Sequence, residues 1–142
     1  MRLKLAVFGE EFSTNISFMD SGTKKFIFEL NKLSDAMKNG EGRQYVIFAL
    51  DFLNEYSDHH LISEEKVMIK YRFHDIEGHA VQHDEFRSEL IRISDEYAEK
   101  GADHAFPLLI QRFMASWLSR HISRSDKVLG DFLQTAAKKA RS

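Results

Sequence analysis

Residues 75–101 read Asp75-Ile-Glu-Gly-His79-Ala-Val-Gln-His83-Asp-Glu-Phe86-Arg-Ser-Glu-Leu90-Ile-Arg-Ile93-Ser-Asp-Glu-Tyr97-Ala-Glu-Lys-Gly101. Ile76, His79, His83, Phe86, Leu90, Ile93 and Tyr97 recur at steps of three and four, which predicts one amphipathic helix from about Asp75 to Lys100. Gly101 marks its end. His79 and His83 are four residues apart, so both imidazoles project from one face. That face is the apolar one. An imidazole taken out of water needs a partner, and two in one stripe call for an unusual one.

The same period extends to both sides. Upstream, Val46, Ala49, Leu53, Tyr56, His60, Glu64, Val67 and Tyr71 share a face of a helix over about Arg43 to Tyr71. Met19, Thr23, Phe26, Leu30, Leu33 and Met37 do so over about Phe18 to Lys38. Asn39-Gly40-Glu41-Gly42 separates those two helices with turn chemistry. Downstream, a helix starts near Asp103, with Pro107 tolerable in its first turn and Phe106, Ile110, Phe113, Trp117 and His121 inward. A shorter amphipathic segment over 126–138 carries Val128, Leu129, Phe132, Leu133 and Ala136. Residues 1–17 read as an arm without clear period. One proline and seven glycines leave little room for other turns. The expected fold is all-α: an up-down-up-down antiparallel four-helix bundle over about 18–122, with an N-terminal arm and a short C-terminal helix, in one domain over 1–142.

Composition excludes several classes of function. No cysteine is present, so disulfides, thiolate ligands and thiol catalysis are ruled out. A net charge of -2 gives no whole-chain attraction to nucleic acid or an anionic membrane. No apolar run approaches the length of a membrane span, and residues 2–8 are too short for a signal-peptide core, so the expected compartment is the cytoplasm. Lys138, Lys139 and Arg141 read as a solvated, frayed basic end.

Antiparallel packing brings Thr23, His60 with Glu64, His79 with His83, and His121 to one end of the bundle. The polar residues therefore converge in one layer, and a metal is the most economical partner for so many buried imidazoles and carboxylates. His79, His83 and His121 can hold one ion and leave a position open. His60 can hold a second ion beside it. Glu64 and Asp126 are the natural bridges, each with two oxygens for two ions. Asp126 follows His121 by five residues, off the face of a continuous α-helix, so the chain is expected to turn after Ile122. His59 points about 100° from His60 and reads as a surface residue. His74 and His104, at helix junctions, read likewise, and Glu65 is expected to point away from Glu64.

These residues resemble the hemerythrin family, in particular its bacterial single-domain members. The resemblance rests on His60-Leu-Ile-Ser-Glu64, on His79-Ala-Val-Gln-His83-Asp-Glu-Phe86, on Trp117-Leu-Ser-Arg-His121-Ile-Ser-Arg-Ser-Asp126, and on the Asp35–Gly40 turn. It covers about residues 12–133. It implies a non-haem di-iron centre: one iron on His79, His83 and His121, the other on His60, with Glu64, Asp126 and an oxo or hydroxo group as bridges. The family opens its first helix with Ile-Asp-x-Gln-His-Lys, whose histidine binds the second iron. Here the stretch is Met19-Asp20-Ser21-Gly22-Thr23-Lys24, so Thr23 stands at a vacant ligand position and six of seven ligands remain.

The resemblance implies binding of oxygen or nitric oxide for sensing, carriage or storage. Two ferrous ions carry four positive charges, of which two carboxylates and a hydroxide remove three. The excess positive charge disfavours further oxidation and suits reversible binding. A binding protein is therefore expected rather than an enzyme. The lost histidine keeps two alternatives open: a metal-dependent peroxidase or nitric-oxide-handling enzyme, and a mononuclear or metal-free bundle. The ligand in the cell and the oligomeric state are left open.

Overall fold

Six α-helices and two π-helical turns carry the chain in a computed structural model that describes residues 6–141. The helices are α1 (Ser17–Lys38), α2 (Gly42–Glu55), α3 (Ile62–Lys70), α4 (Ile76–Lys100), α5 (Phe106–Trp117) and α6 (Asp126–Arg141). A π-helical turn over Tyr56–Leu61 joins α2 to α3, and another over Leu118–Ser125 joins α5 to α6. Helices α2 and α3 thus form one long rod, and the bundle has the four expected arms. No strand occurs among the described residues. The two glycine turns have a steric cause: Gly40 and Gly101 sit at φ 73° and 67°, a region that side-chain-bearing residues rarely adopt. Asp75 caps α4, its carboxylate accepting from the Gly78 amide at 3.1 Å.

Two details depart from the expected helices. Tyr71 lies exposed, and Met68 is fully buried in its stead. The π-helical turn shifts the register of the rod, so the buried stripe beyond it runs through Leu61, Glu64 and Met68. The basic end is solvated as expected but helical: α6 runs through the exposed Lys138 and Lys139 to Arg141.

The arm is docked. Phe12 is buried in the core. Asp20, in the first turn of α1, accepts from the Thr14 hydroxyl at 2.7 Å, the Thr14 amide at 2.9 Å and the Asn15 amide at 3.1 Å. A carboxylate there also faces the positive end of the helix. Further along, the Asn31 amide group pairs with the Ala6 backbone at 3.1 and 2.8 Å.

The core divides in two. The larger cluster contains Phe26, Leu33, Val46, Leu53, Tyr56, Phe86, Ile93, Ile110 and Trp117; the smaller contains Met19, Met68, Phe73, Leu129 and Leu133. On each arm of the bundle the polar residues stand between the two clusters. Thr23 lies between Met19 and Phe26, and His60 and Glu64 between Tyr56 and Met68. His79 and His83 lie between Phe73 and Phe86, and His121 and Asp126 between Trp117 and Leu129. Apolar side chains this buried stabilise by roughly 1.5–3 kcal/mol each, and here they also keep water from a polar layer on both sides.

Candidate metal centre

Each of the six polar residues reaches the layer from a different local cause. His60 and Glu64 keep their i,i+4 relation across the end of the first π-helical turn, with His60 Nε2 2.8 Å from Glu64 Oε2. His79 and His83 project from the first half of α4, both buried. His121 lies inside the second π-helical turn and Asp126 at its exit. A π-helical turn advances by a smaller angle per residue than an α-helix, which rotates Asp126 back to the His121 face. The chain therefore does not leave the helix after Ile122, as the five-residue spacing suggests.

The donor atoms converge. Those of Glu64, His79, His83 and His121 lie within 4.8 Å of one another, and so do those of His60, Glu64 and Asp126. Glu64 is shared by both groups and is wholly buried. Its Oε1 lies 2.9 Å from His79 Nε2, 3.1 Å from His83 Nε2 and 3.8 Å from His121 Nε2. Asp126 Oδ1 lies 3.0 Å from His121 Nε2 and 3.3 Å from His79 Nε2. Thr23 is buried on α1, between Met19 and Phe26.

Hydrogen bonds on the far side of two rings fix their tautomers. His83 Nδ1 lies 2.6 Å from Glu65 Oε2, which also accepts from Arg87 at 2.7 Å. His121 Nδ1 lies 2.7 Å from Gln82 Oε1, which accepts from the Ser125 hydroxyl at 2.8 Å. Carboxylate and amide oxygens only accept, so both Nδ1 atoms carry hydrogen. In a neutral ring the inward Nε2 is then a lone pair, and it faces carboxylate oxygens. Like acceptors so close repel unless a proton or a cation stands between them. His121 Nε2 and Asp126 Oδ1 are buried and make no aligned hydrogen bond, although they are 3.0 Å apart. Metal-binding histidines have this arrangement, with the outer nitrogen donating and the inner one free.

Without a cation, protons take the part. Burial pulls the His121 pKa down, but the negative charges of Asp126 and Glu64 beside it push it up to about 9. Burial also opposes the charged form of His79, and Asp126 and Glu64 outweigh it, raising the pKa. Burial favours a neutral Glu64, yet the imidazoles of His121, His60, His79 and His83 gathered around it hold its carboxyl well below the usual range. The donor set is dry, anionic and crowded with imidazole, which suits a divalent transition-metal ion and can hold one.

Sequence reasoning misses Glu65 and Gln82. Glu65, expected to point away, is half-buried, and Arg87 draws its carboxylate onto the outer nitrogen of His83. The spacing of Gln82, three after His79, gives no warning that it serves His121 on another arm. His59, His74 and His104 are exposed, as expected. Tyr56, one turn before His60, supports that ring by stacking, with ring centroids 4.7 Å apart and planes at 14°. Its hydroxyl accepts from Trp117 Nε1 at 3.1 Å. Burial and the charges of Glu64 and Asp126 raise the Tyr56 pKa well above its ordinary value. Trp117 in turn stacks on His121 at 3.9 Å and 12°.

Comparison with known proteins agrees with this geometry. Residues 21–133 match the family model described as the hemerythrin HHE cation binding domain. A bacteriohemerythrin from Methylococcus capsulatus is 32% identical over 127 residues, spanning 87% of this chain and 92% of the relative. No solved structure matches the chain significantly.

Proposed function

This chain belongs to the hemerythrin family, and from that premise we propose that it binds a diatomic ligand, dioxygen or nitric oxide, at a non-haem di-iron centre. The observation that carries the reading is the lone-pair conflict at Glu64 and Asp126, where imidazole Nε2 atoms face carboxylate oxygens in a dry layer. In this reading His79, His83 and His121 hold one iron, and His60 the other. Glu64 and Asp126 would be shared between the two ions. A reduced iron pair supplies the electrons and the open coordination that such a ligand requires.

The chain's own residues set the conditions. Glu65 and Gln82 hold the His83 and His121 rings with Nε2 inward. Trp117 and Tyr56 close the layer from the larger core cluster; Met19, Met68, Phe73 and Leu129 close it from the smaller. Thr23 stands where the family supplies a histidine, and a neutral hydroxyl is a weak iron donor. The His60 ion is therefore the more weakly held and the more open. A specific feature supports a second reading, a peroxidase or nitric-oxide-handling enzyme: a crevice of about 280 Å³ lined by Gly22, Lys25, Tyr56 and His60 reaches that side.

The test is metal analysis of protein prepared without oxygen, followed by absorption spectra of the reduced protein with and without oxygen. The expected outcome is iron approaching two ions per chain, lost in His79→Ala and His83→Ala, and a spectrum that oxygen changes and its removal restores. A wild type without iron, or iron that survives both substitutions, overturns the site. A spectral change that is never restored, with peroxide consumed, moves the assignment to the enzyme.

A further inference from the structure

We propose that Gly22 is a positioning residue for His60: the side chain it lacks leaves a slot in α1 that seats the imidazole with Nε2 on Glu64. The inference rests on the di-iron reading for its consequence, and on packing alone for its cause.

Gly22 lies inside α1, in regular helical conformation. A glycine there is less favourable than alanine, because it has more backbone freedom to lose, so its presence calls for a reason. The reason is steric. A methyl group built on Gly22 would overlap the His60 ring at Nδ1 and Cε1 and would stand 3.2 Å from its Cγ. The imidazole therefore rests against the bare backbone of α1. Tyr56 stacks on one face of the ring, and Phe18 lies 6.0 Å away at 46°. His83 and His121 are oriented by hydrogen bonds to Nδ1. His60 is oriented by packing, and its Nδ1 edge is the part that meets Gly22.

With the arms packed as they are here, a side chain at position 22 meets the ring and pushes it outward, into the crevice shared by Lys25, Glu55 and His59; the glutamine that the family motif carries at this place stands beside a histidine that Thr23 replaces in this chain. His60 Nε2 would then leave Glu64 Oε2, now 2.8 Å away. Only the His60 side of the centre would suffer, because none of the contacts of His79, His83 and His121 given above passes through α1. In this chain Gly22 thus sets where the imidazole of the more open half sits, and it acts through His60 alone.

A double-mutant cycle tests this in metal-free protein, with thermal unfolding as the readout. Gly22→Ala should lower the unfolding midpoint when His60 is present. In the His60→Ala background the same substitution should raise it, since the overlap is gone and alanine favours the helix. A Gly22→Ala protein that does not fold, beside a double variant that does, supports the proposal equally. An effect of the same sign in both backgrounds overturns it. Iron analysis adds the functional arm: Gly22→Ala should fall from about two ions per chain to about one, the ion on three histidines being retained. Unchanged iron in Gly22→Ala overturns the positioning role while leaving the di-iron reading intact. A wild type that binds no iron overturns the di-iron reading, and the unfolding cycle still decides whether Gly22 seats His60.

Discussion

Glu65 and Gln82 touch the centre only through the outer nitrogen of a histidine, yet each fixes which nitrogen faces inward. Partners of this kind raise ligand basicity and lock the ring, and their loss costs about 10–100-fold in metal affinity. Glu65→Ala should therefore weaken iron binding by about that factor in competition with a chelator, while Glu65→Gln, which keeps an acceptor oxygen, should weaken it less. Helical content should be unchanged in both, since Glu65 is partly exposed and stands outside the apolar core clusters. Equal affinity in wild type and Glu65→Ala would mean that His83 is oriented by packing. His60 with Glu64 and His79 with His83 are legible in the sequence because an i,i+4 pair shares a face whatever the helix touches. Glu65 is not, because its aim depends on the rotation of α3 against α4, which no single helix encodes. Gly22 is legible only as a spare place on α1; that a ring from the second arm fills it is a fact of helix-to-helix distance.

The two π-helical turns mark the places where regular helix fails to meet the demands of the layer. His121 and Asp126, five apart, cannot share an α-helical face, and the apolar period gives no signal of a wider turn. The expected exit after Ile122 follows from α-helical geometry alone; the wider turn satisfies the same constraint without breaking the helix. A π-helical turn amounts to one residue inserted in an α-helix. Deleting Ser123 should thus convert it to α-helix, bring His121 and Asp126 to i,i+4, and leave the downstream register of α6 in place. Inserting one alanine after Ser123 should carry Asp126 off the face and shift Leu129 and Leu133 from the smaller cluster. The deletion should keep most of the iron and the insertion lose it, by metal analysis, with similar helical circular dichroism. Loss in the deletion and retention in the insertion would contradict this geometry. Elsewhere the elements are readable because their stripes are long. Beyond the first π-helical turn Met68 takes the buried place expected of Tyr71; Met114 on α5 is buried outside the expected stripe, and Val128 on α6 lies exposed.

At the scale of the molecule, a layer of imidazoles and carboxylates divides the core, and such a layer is stable only when its charges are met. A ligand that binds only the folded chain stabilises it by about 2.7 kcal/mol at a concentration one hundred times its Kd. Iron should therefore raise the unfolding midpoint well above that of chelator-treated protein, and addition of ferrous ion without oxygen should restore it. Equal midpoints would show that the layer satisfies itself with protons alone. The bundle is legible as a whole because turn signals are few and sharply placed. The docking of the arm is not, since its anchors are single polar contacts rather than a period.

Those anchors have a kinetic consequence. Lys127 donates to the Glu10 carbonyl at 2.7 Å and Gln134 to the Thr14 carbonyl, across 117 and 120 residues. Contacts between such distant positions must close a long loop before they are rewarded, so they form late. Asp126 opens the helix that makes them. A nascent chain that has reached Ser125 already holds four imidazoles and Glu64, but it lacks the second carboxylate and the apolar floor of Leu129 and Leu133. The pocket thus acquires its full charge only when α6 packs against the segment that holds Glu10 and Thr14.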